Sequence, residues 1–305
     1  MKDLRKTVEK FWREKKAIGH FNVAGWEQLA AVVAAAKELK QPVIVGVSES
    51  EREFWGAKTI AALIKFFRES EKIEIFLNAD HTRSLAGAKE AAAAGFDSIT
   101  VDFSFLPLAE NIRKTKEAAI AARKINPNII IEGELGNIGE HSNIKSWQKK
   151  PVFPPAGGLT TSTEAAEFVK KTGVDWLAPS VGNLHGVFSQ KSTKDILKSS
   201  AKEKWLDPRL DIKRLAEIEK AINQPMVLHG GSGNTIGDWQ KAVWAGAAIV
   251  HISTEFRLAW RQNLEKSLKQ QSAEIIPYKI NQEVIEALKK EIMKYMLIFS
   301  PARLK

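Results

Sequence analysis

Residues Pro225–Gly233 read PMVLHGGSG, an apolar run that meets a histidine and then three glycines and a serine. Such a run reads as a buried strand whose C-terminal end opens into a tight loop of free backbone N–H groups, a geometry suited to phosphate. His229 stands at that junction. Two other histidines are placed in the same way: His81 closes IEIFLNADH, and His185 follows LAPSVGN. Three histidines at three strand ends, far apart in sequence, require a fold that brings strand ends together.

The rest of the chain supplies that fold. A first helix, Asp3–Lys15, precedes a strand at Ala17–Val23. The helix Trp26–Lys40 follows, with Leu29, Val32, Val33, Ala36 and Leu39 on one face. The next strands are predicted at Pro42–Ser48, Ile73–Ala79, Ser98–Phe103 and Asn128–Gly136. Helices over Ala57–Phe67, Leu85–Ala94 and Pro107–Lys124 separate them. A helix Thr163–Thr172 leads to a sixth strand, Trp176–Gly182. The helix Asp211–Ile222 leads to the seventh, Pro225–Leu228, and the eighth is Ala248–Ser253, with a helix behind it to about Gln270. A terminal helix is expected over Gln282–Phe299. Strands and helices in strict alternation imply parallel pairing, since each parallel pair needs a crossover helix. The expected fold is α/β: a (β/α)8 TIM barrel with extra helices at both ends. It forms one domain over residues 1–305, with 272–305 a helical extension. In such a barrel the C-terminal strand ends share one face. The three histidines end strands three, six and seven and so point at one site.

Composition narrows what that site does. With no cysteine among 305 residues, disulfides and thiolate metal sites are excluded, and a transition metal must use His, Asp or Glu. Residues 1–16, MKDLRKTVEKFWREKK, lack an apolar signal region, and no later apolar run is long enough to span a bilayer. The expected location is cytoplasmic, with no membrane partner. The net charge of +10 comes from lysines scattered over helical faces, denser at Arg13–Lys16 and Lys191–Lys204. No basic strand carries interleaved aromatics, so a solvated surface and a field favouring small anions are expected, not nucleic-acid binding.

A single histidine is most simply a core residue bonded to a carbonyl. Three at convergent strand ends make a metal site, because catalytic zinc takes three protein ligands and keeps one position open. His20 and His141 lack that placement, and His20 is read as structural. The acids at strand ends are Asp80, Asp102, Glu132 and Glu134. No lysine ends a barrel strand to form a Schiff base instead.

The motifs NADHT, VGNLHGVF, LHGGSG and EGELG, together with FNVAGWEQLAAVVAAAKELKQPVIVGVS, resemble the class II, zinc-dependent ketose-bisphosphate aldolases. These are the fructose- and tagatose-bisphosphate aldolases, and the resemblance runs from about Ala17 to Arg257. It implies reversible cleavage of a phosphorylated ketose, such as fructose 1,6-bisphosphate, to dihydroxyacetone phosphate and an aldehyde through a metal-stabilised enediolate. It implies zinc on His81, His185 and His229, with a monovalent cation as activator. Asp80 would handle the proton on the hydroxyl of the cleaved bond. Asp102 and Glu134 would lie near the metal and hold it in an alternative position. Gly186, Gly230, Ser232, Ser253 and Thr254 would line the phosphate of the dihydroxyacetone half. The family is commonly a dimer or larger homo-oligomer.

Departures from the family pattern lie on the other side of the pocket. The loop GNIGEHSN places Ser142 where the family's mobile, carbon-deprotonating Glu falls. Glu140 is the nearest substitute as a catalytic residue, and His141 is another candidate base. His251 replaces the Asn that touches the enediolate, and it remains able to bind substrate as a donor. Ser104-Phe105 stands for Ser-His, and Tyr278 stands for the Arg that reaches the second phosphate, which implies an aldehyde half that differs or lacks phosphate. The alternative reading is a non-catalytic metal-containing barrel that binds phosphosugar or a macromolecular partner.

Overall fold

The computed structural model describes residues 3–139, 144–146, 158–189 and 210–300. Its strands are β1 (Ile18–Asn22), β2 (Val43–Val47), β3 (Ile75–Thr82), β4 (Ser98–Val101), β5 (Ile130–Leu135), β6 (Ile144–Ser146), β7 (Trp176–Pro179), β8 (Val187–Ser189), β9 (Met226–Leu228) and β10 (Ala247–Ile252). Eight of them close a barrel in the order β1-β10-β9-β7-β5-β4-β3-β2, and every pairing is parallel. These are the eight strands expected from the sequence. The remaining two, β6 and β8, pair only with each other. At three residues each they are too short to show a period, and the sequence reading missed them.

The described helices are α1 (Leu4–Arg13), α2 (Trp26–Leu39), α3 (Glu49–Trp55), α4 (Ala57–Ser70), α5 (Leu85–Ala94), α6 (Leu108–Ile125), α7 (Ser162–Thr172), α8 (Ile212–Ile222), α9 (Ile236–Trp244), α10 (Thr254–Gln270) and α11 (Pro277–Phe299). Local signals start and stop them. Ser84 caps α5 by accepting from Gly87 N, and Gly95 ends it at φ 90°, a left-handed turn that costs glycine little. Two helices were not expected, α3 and α9. Each opens on a capping box, Ser48 with Glu51 and Thr235 with Asp238, a signal that could have located both. The last helix starts at Pro277, five residues before the expected Gln282. Proline suits the first helical turn, where its missing N–H is no loss.

The barrel interior changes character along its axis. Alternate strand residues point inward, and at the N-terminal end these are Ile18, Ile44, Phe76, Ile130, Trp176 and Val227, packed with Leu4 and Val8 of α1. The first helix thus plugs that end with apolar side chains. One layer up the inward residues are His20, Asn78, Thr100, Glu132 and His251, all buried. At the C-terminal mouth they are Asn22, Asp80, Asp102 and Glu134, also buried. Most of the apolar core lies outside the barrel, between strands and helices. There α11 buries Val284, Leu288, Ile292, Tyr295, Met296 and Phe299, and its Phe299 carbonyl accepts from Ala17 N at 2.9 Å, just before β1.

β3 is longer than expected, and the extra residues matter. It continues past Ala79 through Asp80, His81 and Thr82, with its register against β4 shifting between Ala79 and Thr82. His81 sits at φ 45°, an uncommon conformation for a residue with a Cβ. Strand neighbours normally face opposite sides, and this irregularity lets two consecutive residues serve one cavity.

Candidate active site

One cavity at the C-terminal mouth is lined by Asn22, Asp80, His81, His185, Gly186, His229, Gly230, Ser232, His251, Ser253 and Thr254. Strand ends β1, β3, β9 and β10 and the loop after β7 supply these residues. The three strand-end histidines meet there: ring centroids lie 4.7 Å apart for His81 and His185, 4.9 Å for His81 and His229, and 5.6 Å for His185 and His229.

Each imidazole is anchored through one nitrogen. His81 Nδ1 lies 3.0 Å from Asp102 Oδ2, and His185 Nδ1 donates to the Gly139 carbonyl at 2.6 Å. His229 Nε2 lies 2.6 Å from Glu132 Oε1. Anchoring of this kind fixes ring orientation and leaves the other nitrogen for a metal. His229 Nδ1 is buried with no hydrogen-bond partner. One atom from each ring falls within 4.8 Å of the others. A tetrahedral ion bound at about 2.1 Å holds its ligand atoms roughly 3.4 Å apart, so the three rings fit a metal with a small inward adjustment. Asp102 and Glu134 form a second candidate group with His81.

The charges favour a cation here. Burial pulls the His81 pKa down, but Asp80, Asp102 and Glu134 outweigh it and push it up to about 10. Burial should raise Asp80 and Asp102; the neighbouring His81 instead holds both well below the usual carboxylate range. Burial and then the His81 charge lower His185 and His229 to about 3, which keeps both neutral and able to ligate. Burial raises Glu134, and the Asp102 charge adds to it. Ser104 Oγ lies 2.7 Å from Asp102 Oδ1 and 3.0 Å from Glu134 Oε1, so its single hydrogen is shared between two carboxyl groups.

Asp80 is held from two sides that the sequence reading missed. Asn22 Nδ2 donates to Asp80 Oδ2 at 2.9 Å and to Glu51 Oε2 at 3.1 Å, which commits both amide hydrogens. Arg52 donates to the backbone carbonyls of Val47 and Asp80 at 3.0 and 3.2 Å. Asp80 Oδ1 is left without a partner, 3.9 Å from His81 Nε2. Glu51 and Arg52 belong to α3, so missing that helix hid them. Glu132, read only as a strand-end acid, is the anchor of His229.

The glycine loop after β9 is built for close approach. Asn183 Nδ2 donates to the His229 carbonyl at 3.1 Å, drawing the loop after β7 over it. Gly233 N donates to Glu255 Oε1 at 2.7 Å, and Trp239 Nε1 to the Gly231 carbonyl at 2.8 Å. Ser232 Oγ lies 3.4 Å from the backbone N–H of both Ser253 and Glu255, at the start of the 17-residue α10. Thr254 Oγ1 is buried there without a partner. A helix start with a free hydroxyl and a glycine loop suits an anion. Gly230 has φ 58°, and a Cβ there would fall 2.4 Å from the Leu184 carbonyl oxygen. Gly230→Ala is therefore expected to cost about 2–4 kcal/mol, from the left-handed backbone and the clash together. Urea unfolding of the metal-free protein checks this, and an unchanged midpoint would contradict the packing described.

Glu140, His141 and Ser142 lie outside the described residues. Tyr278 is 72% exposed at the start of α11 and does not line the cavity. Phe105 is exposed, while Ser104 bridges Asp102 and Glu134.

The chain matches the family described as fructose-bisphosphate aldolase class-II over residues 2–302. It is 30% identical over 262 residues to the sulfofructosephosphate aldolase of Alkalicoccus urumqiensis, covering 86% of this chain and 83% of that one. It is 29% identical over 299 residues to the fructose-bisphosphate aldolase of Geobacillus stearothermophilus, covering 97% and 96%. Among solved structures, the YdjI aldolase from Escherichia coli K12 aligns with a TM-score of 0.76 at 26% identity, over 98% of this chain and 97% of that one. Fold and relatives define a lyase on a parallel barrel, of a metal-dependent kind. The chain belongs to the class II fructose-bisphosphate aldolase family.

Proposed function

We propose that this enzyme reversibly cleaves a phosphorylated ketose to dihydroxyacetone phosphate and an aldehyde, with zinc held by His81, His185 and His229. The observation that carries the reading is the convergence of these three anchored imidazoles beside Asp80 and the anion-fitted loop. Gly186, Gly230, Ser232, Ser253 and Thr254 take the phosphate of the ketone half. Bound zinc would supply Lewis acidity at the ketose carbonyl. Asp80 Oδ1, ionised and unpartnered, accepts the proton of the hydroxyl on the carbon that becomes the aldehyde. As that proton leaves, the carbon–carbon bond breaks and its electron pair passes into the ketone half. Glu140 returns a proton to carbon, and His251 donates a hydrogen bond to the reacting face. Asp102 and Glu134, together with His81, would hold the metal in a second position.

We read residues 1–305 as one domain, with 272–305 its helical extension; the packing of α11 on α2 supports this. No helix among the described residues is long and apolar enough to cross a membrane. We place the enzyme in the cytoplasm, and a homo-oligomer, a dimer or larger, fits the exposure of Trp26, Phe54 and Phe66.

A retro-aldol screen of ketose mono- and bisphosphates with added zinc tests the activity. Release of dihydroxyacetone phosphate is expected from at least one of them. Dialysis against a strong chelator should abolish that release, and zinc should restore it. Activity that survives the chelator would remove the metal from the mechanism.

A further inference from the structure

β1 and β10 are neighbours, and their register sets His20 directly beside His251. Both side chains point into the barrel, one layer below the mouth. The rings lie face to face, with centroids 3.5 Å apart and planes within 3° of parallel. His20 Nε2 lies 3.2 Å from Asn78 Oδ1, an oxygen that also accepts from Thr100 Oγ1 at 3.3 Å. The Asn78 amide donates in turn to Ser98 Oγ at 2.9 Å, and with Asn78 Oδ1 facing the ring His20 Nε2 is the donor. On β2, a Cβ at Gly46 would fall 2.1 Å from His20 Cε1; the strand is bare where the ring lies. His20 is thus held in a slot between Gly46, Asn78 and His251.

His251 stands between that slot and the cavity. It lines the cavity, and its Nδ1 lies 3.6 Å from Asp80 Oδ1, the oxygen with no hydrogen-bond partner. On its other side its ring centroid is 4.0 Å from that of His229.

Two imidazoles and a carboxylate within 4.8 Å invite a second metal site, and the stacking argues against it. Imidazole lone pairs lie in the ring plane. An ion about 2.1 Å from one nitrogen in its own plane would stand a full stacking distance out of the other ring's plane. The pair is better understood as a support.

We propose that His20 is a positioning residue: its stacked ring fixes the plane of His251 so that Nδ1 of His251 addresses Asp80 Oδ1 and the hydroxyl-bearing carbon of the substrate. The inference rests on the reading above that Asp80 handles the hydroxyl proton. The pair is a joint feature of this chain, since a ring at 20 needs both the bare Gly46 and a flat partner at 251.

A double-mutant cycle tests it, using kcat for the ketose phosphate that the wild-type holoenzyme cleaves best. His251→Ala is expected to lower kcat at least tenfold, and His20→Ala about tenfold, because small misplacements near the reacting atoms are costly. KM and zinc content should stay within about twofold of wild type, since neither ring is one of the three anchored imidazoles or part of the phosphate loop. The double variant should be no slower than His251→Ala, the mark of residues acting as one unit. His20→Gln, whose flat amide can lie on the same ring and reach Asn78, should recover at least about half of wild-type kcat. Losses that multiply in the double variant would overturn the proposal. So would zinc loss in His20→Ala, which would mean that His20 acts through His229. If His251→Ala keeps full kcat, the placement of His251 at the reacting face falls with the proposal. If His251→Ala is slow but His20→Ala is not, only the role of His20 falls.

Discussion

Alanine at position 229 is expected to strip the protein of its zinc and to lower retro-aldol turnover by about three orders of magnitude or more, as loss of a catalytic metal does. The reasons are local. His229 is fully buried, and its Nδ1 is free while Nε2 is tied to Glu132 at 2.6 Å. Its backbone carbonyl is held by Asn183, so the ring is delivered to one place with little freedom to lose on binding an ion. Removing it leaves two imidazoles, too few for a tight site. It also leaves Glu132, a buried carboxyl raised to about 8 by burial, without its imidazole partner. Zinc content after gel filtration, measured by atomic emission and paired with kcat, decides the matter. Stoichiometric zinc in the variant would show that the three-histidine site is misassigned.

Asp80→Ala should behave differently. The side chain is bonded to Asn22 and lies 3.9 Å from the nearest His81 nitrogen, beside the imidazole set and not part of it. Zinc should remain near one equivalent while kcat falls by a factor of about 10² to 10⁴, the usual worth of a positioned acid or base. KM should move little, because no contact with the phosphate loop is lost. Equal zinc loss in the two variants would demote Asp80 to a support for the metal ligands.

The barrel and the meeting of the histidines were legible in the sequence because both depend on order along the chain. Eight apolar runs separated by helices leave few topologies, and a residue just past a strand end goes to the mouth in any of them. What lay beyond reach depends on register between strands. That Asn22 commits one hydrogen to Asp80 and one to Glu51 follows from how β1, β2 and β3 align, which periodicity does not encode. The stack of His20 on His251 has the same origin, and reading His20 alone as a structural residue missed its partner. Glu51 and Arg52 had a readable sign in the Ser48 to Glu51 capping box. The β3 irregularity had none, since NADHT looks like the end of a strand and its register shift appears only against β4. On the side of Glu140 and His141 the sequence reading stands as a proposal.

The apolar plug that α1 makes with Ile18, Phe76 and Trp176 seals one end of the barrel. Among the described residues, the cavity therefore opens on the mouth side and not through the barrel floor. Neither fragment can depart through the far side, so both products leave from the mouth side. The helix that precedes the barrel thus limits where products can go, although none of its residues lines the cavity.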